Sequence, residues 1–204
     1  MSEERYRIPA GPHRVEQEVL KSRFLTTLEP VASAEEARAF VERIRAEFPD
    51  ARHHCWAFVV GPPGSTANVG MSDDGEPHGT AGRPMLNALL HGGVGDVAAV
   101  VTRWFGGTLL GKGGLVRAYT QGVQLALAEL PTREKVRTVT LRFAFDYAHV
   151  DGVRRLLPAH EATLVEEAYS ERVQYTLQLP ASGVEALEQA LRDLTHGAVQ
   201  VLDG

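Results

Sequence analysis

The stretch VVTRWFGGTLLGKGGLVRAY, residues 100–119, holds the residues whose types and spacing come nearest to a chemical site. From Gly106 it reads GGTLLGKG, with Gly106, Gly111 and Lys112 at the spacing of a phosphate-binding P-loop. Such a loop needs backbone amides around the phosphates, a lysine that reaches them, and a Ser or Thr hydroxyl on magnesium. Here the hydroxyl position is Gly113, and no apolar strand ends in an acidic residue that would serve as the distal metal carboxylate, since Asp96 precedes its strand. Nucleotide hydrolysis by a conventional P-loop is therefore not expected. A simpler chemistry survives: free N–H groups at a helix N-terminus attract anions through their donors and the helix dipole. Gly106, Gly107, Gly113 and Gly114 would let a phosphate come close to the main chain, and Arg103, Lys112 and Arg117 would add positive charge, with Arg83 a weaker partner. The plain alternative is a glycine-rich turn that only packs a strand against a helix.

A second cluster lies upstream in SDDGEPHG, with Asp73, Asp74, Glu76 and His78. Three carboxylates and an imidazole are candidates for a general base or for a hard cation, because oxygen ligands suit magnesium or calcium. The spacing is not that of an EF-hand, and a solvated acidic turn is the competing reading. His53, His54 and Cys55 are adjacent on an expected strand, so they cannot all face one site. With one cysteine in the chain, no zinc site or internal disulfide is expected, and the apolar residues after Cys55 predict a buried, inert thiol. Trp104 and Phe105 beside Arg103 are able to stack a base, although the core is the commoner place for such side chains.

These residues must be positioned by regular elements. EVLKSRFLTTLEPV reads as an opening strand, and SAEEARAFVERIRAEF as a helix with Ser33 and Glu36 as its capping pair. HHCWAFVVG and DVAAVVTRWF read as buried strands, and Pro84 suits the first turn of a helix running to about His91. A long helix follows the glycine loop, with Leu115, Val116, Tyr119, Val123 and Leu127 on one stripe. PTREKV reads as a linker. Beyond it, strands at VTLRFAF, ATLVEEAY, RVQYTLQL and AVQVL alternate with two helices, the second capped by Ser182 and Glu185. This β-α-β-β-α-β order is the ferredoxin-like arrangement. The expected organisation is α+β in two domains, residues 1–132 and 133–204, each one sheet with helices on one face.

The bulk numbers exclude several classes. The 204 residues carry a net charge of −5, with 13 basic and 15 acidic residues up to residue 132 and 8 and 11 beyond it, so neither half is a basic block. Strong nucleic-acid binding through bulk charge is not predicted, which leaves a local basic patch. No apolar run is long enough to cross a bilayer, and MSEERYRIPAGPHR is not a secretory signal, so a cytoplasmic protein without a membrane partner is expected.

DGEPHGTAGRPML followed by VVTRWFGGTLLGKGGLVRAY resembles the signature of the IMPACT/YigZ family, with spacing from Gly82 through Leu86, Leu89, Val94, Val100, Arg103 and Gly107 to Gly111 that fits without a gap. Trp104 stands where the family usually has tyrosine. The match covers the first 130 residues, and the second half is similar in layout to the second domain of bacterial YigZ-type members. The resemblance implies an N-terminal two-layer domain like the second domain of ribosomal protein S-five and domain IV of elongation factor G. It implies a C-terminal domain like domain V of the same factor. These folds associate with RNA and the ribosome. Eukaryotic members restrain the starvation response of translation partly through an extra RWD domain, and since the match begins almost at once, that role is not expected to carry over. A non-catalytic anion- or nucleic-acid-binding module, associated with RNA or the ribosome and linked to translation regulation, is the favoured expectation, with no cofactor, no resident metal and no identified protein partner. The alternative is a metal-dependent enzyme on a small phosphorylated substrate, with Asp73 or Glu76 as base or ligand and His78 assisting.

Overall fold

The run Val97–Val101 is apolar at every position because both faces of its strand are covered. In the computed structural model, which describes residues 4–202, the chain forms two compact units, residues 6–135 and residues 4–5 with 136–202. After β1 (Arg5–Pro9), the first unit contains β2 (His13–Val19), β3 (Ser22–Pro30), α1 (Ala34–Glu47), β4 (His53–Val59), β5 (Val69–Ser72), α2 (Gly82–His91), β6 (Val97–Trp104) and α3 (Gly111–Glu129). Its five-stranded antiparallel sheet has the order β2-β3-β6-β4-β5. Val97, Ala99 and Val101 pack with Phe24, Leu28, Met85, Leu89, Tyr119 and Val123 under α2 and α3. Ala98 and Val100 point the other way and pack with Phe40, Val41, Ile44 and Phe58 under α1. The one-sided layering expected for this unit therefore holds for α2 and α3 only, and α1 makes a third layer.

Local chemistry explains most boundaries. Ser33 caps α1 by accepting from the Glu36 N–H, while Glu36 reaches back to the Ala32 N–H. The segment read as one opening strand is a hairpin, with Leu20 at φ 47° and Lys21 at φ 65° joining β2 to β3. Both central residues of such a tight turn need positive φ, which sequence usually announces with Asn or Gly; this chain uses neither. PTREKV is likewise not a bare linker, since β7 (Thr132–Val136) pairs with β1.

The second unit contains β8 (Thr138–Phe145), α4 (Val150–Leu156), β9 (Thr163–Tyr169), β10 (Val173–Pro180), α5 (Val184–Leu194) and β11 (Gln200–Leu202). The sheet order β11-β8-β10-β9 is antiparallel throughout, as a ferredoxin-like chain requires. Phe143, Phe145, Val173, Tyr175, Leu177 and Leu179 pack with Val153, Leu187 and Leu191 from α4 and α5. Ser182 does not cap α5; a short 3₁₀ turn over Ala181–Gly183 leads in, and Gly183 takes the cap position without a side-chain bond.

Candidate functional site

Asp73 begins the acidic turn and is fully occupied by backbone. One carboxylate oxygen accepts from the N–H groups of Ala81 at 3.0 Å and Gly82 at 2.8 Å, and the other from Gly79 at 2.8 Å. It caps α2 from a distance, which the spacing of eight and nine residues hid from sequence reasoning. Gly82 makes the approach feasible, since a Cβ there would lie 2.9 Å from the Ser72 backbone. Burial pushes the Asp73 carboxyl up, but the three backbone donors and nearby His78 outweigh it and hold it below its ordinary value. An ionised carboxylate with three donors is a poor general base.

Glu76 is buried beneath the turn. Arg103 Nη1 donates to its Oε1 at 2.6 Å, and the Tyr119 hydroxyl donates to the same oxygen at 2.8 Å. Cys55 Sγ lies 3.3 Å from that hydroxyl and 3.0 Å from the Asp73 carbonyl oxygen. Burial, above all, raises both the Cys55 thiol and the Tyr119 phenol, so each stays protonated. The thiol is buried, as its apolar neighbours led us to expect. Asp74, at φ 41°, turns away to Arg45 at 2.6 Å and the His54 N–H at 2.6 Å. His78 stands in solvent, 3.7 Å from Asp73.

The four acidic-turn candidates therefore do not converge. Asp73, Asp74 and Glu76 each serve a different internal partner, and among the described residues no group of three or more His, Cys, Asp or Glu side chains is placed to share a metal. The pattern that looked like a ligand set is a fold device: a helix cap, a clasp to α1 and a buried ion pair.

The glycine loop divides in the same way. Gly106 is a packing residue: its N–H donates to Ser22 Oγ at 3.2 Å, and a Cβ would lie 1.8 Å from the Lys21 carbonyl oxygen. Gly107, at φ 86°, and Gly111, at φ 69°, have open space where a Cβ would be, as does Gly113; at Gly114 a Cβ would meet only the Leu110 side chain at 3.0 Å. No side chain caps α3, and among the described residues the N–H groups of residues 107–113 have no hydrogen-bond acceptor. Those of Leu110 to Gly113 are the orphan donors that any helix N-terminus presents.

The two motifs meet across one cleft of about 380 Å³. Its lining includes Gly75, Glu76 and Pro77 from the turn, Arg103 and Phe105 from the end of β6, Leu109 to Lys112 from the loop, and Arg52 and His53 from the start of β4. Arg103, 6 % exposed, sits in this lining with its charge met by Glu76, so it positions the turn and is not a free cation. Lys112 is exposed with no ionic partner among the described residues. Arg52, equally exposed and unpaired, is the cation that sequence reasoning missed; a lone arginine ahead of a strand carries no motif. Arg117 lies one turn beyond Gly113 on exposed surface, outside the cleft lining. Trp104 and Phe105 part company, as neighbours leaving a strand do. Trp104 donates to Asp50 and lies under Arg23, whereas Phe105 is exposed at the cleft.

His53 completes the lining. Its Nδ1–H donates to the Asp74 carbonyl oxygen at 2.8 Å.

The Impact N-terminal domain family matches residues 20–127, which contain both motifs, and a domain family of unknown function matches residues 143–198 in the second unit. The chain is 44 % identical over 199 residues to the IMPACT family member YigZ of Escherichia coli, covering 98 % of each. It is 40 % identical over 200 residues to an IMPACT family member of Haemophilus influenzae, covering 97 % of each, and 34 % identical over 195 residues to YvyE of Bacillus subtilis, covering 96 % of this chain and 88 % of that one. A crystal structure of a hypothetical protein, 44 % identical, superposes with a TM-score of 0.73 over 98 % of each chain. No helix among the described residues is long and apolar enough to cross a membrane.

Proposed function

Because the chain belongs to the IMPACT family, we propose that it is a non-catalytic binding module whose cleft takes phosphate groups of RNA, in association with the ribosome and the control of translation. The observation that carries this reading is the first turn of α3. Its amides are unpartnered, its glycines leave the backbone uncovered, and two unpaired cations, Lys112 and Arg52, flank it. Donors, dipole and charge all favour an anionic oxygen at that point, and an anion at an exposed helix N-terminus gains about 0.3–1 kcal/mol from it.

Lys112 and Gly113 are the residues of closest contact in this proposal, with Gly107, Gly111 and Gly114 giving access and Arg117 extending positive charge along α3. Gly106 and Arg103 act from behind, one by packing the loop and the other by holding the turn. The carboxylates that an enzyme on a phosphorylated substrate would need are tied to separate partners, which favours binding over catalysis.

Amide-detected NMR tests the proposal directly. Titration with a short oligoribonucleotide should shift the resonances of Gly107, Gly111 and Gly113 in preference to those of the second unit. Shifts confined elsewhere, or none at low salt, would contradict it.

A further inference from the structure

The cleft combines anion donors with something a phosphate alone does not require. Phe105 is 43 % exposed and Leu109 is 85 % exposed, both beside Lys112. Phe105 also has the Arg103 guanidinium 5.8 Å from its ring centroid. Arg103 lies in the same lining, more than nine-tenths buried, with Glu76 accepting from its Nη1, Ser22 from its Nη2, and no acceptor on its Nε–H. At about 380 Å³ the cleft is near the lower end of ligand pockets, which run from roughly 300 Å³ upward. That size suits one nucleotide and not a duplex.

We propose that the cleft holds one unpaired nucleotide of single-stranded RNA, its phosphate on the first turn of α3 and its base stacked on Phe105. The inference rests on the phosphate-binding reading above and adds the strandedness of the partner. Every base has a π face, so stacking on an aromatic side chain gives affinity with little sequence preference. In a duplex those faces are already stacked and the ring has nothing to cover. Lys112 and Arg52 neutralise the backbone, and Leu109 adds apolar cover at the rim. The protein as a whole is acidic, with a net charge of −5, so long-range attraction is weak and the contact depends on this local fit.

Fluorescence anisotropy on the full chain tests the proposal, using a labelled single-stranded oligouridylate, an oligoadenylate and the duplex of the two. The proteins are wild type, Phe105→Ala, Phe105→Trp and Lys112→Ala, each checked for an unchanged thermal melt. Single strands are expected to bind at least about tenfold more tightly than duplex. Phe105→Ala should weaken single-strand binding about tenfold without changing the salt slope, and Phe105→Trp should retain it. Lys112→Ala should lower the slope by about one. If Lys112→Ala weakens binding while Phe105→Ala does not, or if duplex binds equally well, the single-nucleotide site is wrong and phosphate binding stands. If none of the three probes binds, or Lys112→Ala is silent, the phosphate-binding reading itself fails.

Discussion

Arg103 Nη1 and Glu76 Oε1 lie 2.6 Å apart, 27 residues distant in sequence and both buried, and this pair pins the acidic turn to the end of β6. Loss of either partner leaves an uncompensated charge in the core, at a cost of about 3–5 kcal/mol. Arg103→Ala and Glu76→Ala should each destabilise by that order in urea unfolding. The double variant Arg103→Met with Glu76→Leu should cost less than the sum. Additive losses would mean the pair is not coupled. Arg103→Ala is consequently a folding variant, and charge at the cleft is better tested at Lys112 and Arg52.

The glycines of the loop should separate by role. Gly106→Ala drives a Cβ into the Lys21 carbonyl and should cost about 3 kcal/mol, the upper part of the usual range for overpacking. Gly113→Ala meets open space inside α3 and should stabilise by about 0.5 kcal/mol while weakening anion binding by covering an amide. Thermal melts with binding measured on the same samples check both. Equal effects at the two positions would contradict the division.

Asp73 should make α2 acid-sensitive. Its folded pKa is depressed, so its stabilisation is fully present above the unfolded value of about 3.9 and is lost as pH falls through the lower folded value. Asp73→Asn should cost about 1–2 kcal/mol at neutral pH and flatten the stability profile between those two values. A profile unchanged by the substitution would remove the capping role.

Cys55 should be silent in the folded protein. Burial raises its thiol, and the thiolate is the reactive form. Iodoacetamide at mildly alkaline pH should label it only after denaturant is added, and rapid labelling of native protein would contradict the buried network.

The β2–β3 turn offers a test of backbone strain. A non-glycine residue in the left-handed region costs about 1–2 kcal/mol, and asparagine tolerates it better than leucine. Leu20→Asn should therefore raise stability by about 0.5 kcal/mol or more, measured by chemical unfolding.

What sequence made legible follows from whether a signal was local. Hydrophobic periodicity placed α1, α3 and the strands of the second unit, and the P-loop-like spacing drew attention to a helix start that is indeed exposed. The hairpin at Leu20–Lys21 was hidden because the turn uses residues that do not favour its backbone. The partners of Asp73, Asp74 and Glu76 were hidden because each bond is set by tertiary packing: Asp73 to the start of α2, Asp74 to Arg45, and Glu76 to Arg103 and Tyr119. Arg52 was hidden for the same reason, since only the pairing of β4 with β6 brings it to the cleft. Alternation along a strand could have separated Trp104 from Phe105 in advance.

The central claim is that unpartnered amides at the start of α3, with Lys112 and Arg52, receive RNA phosphate. Filter binding of labelled RNA across a salt series, with wild type, Lys112→Ala and the Lys112→Ala, Arg52→Ala double variant, tests it most directly. The account predicts retention at low salt and a slope of log affinity against log salt that falls by about one for each cation removed. No retention by the wild type at low salt, or identical curves for all three proteins, would contradict it.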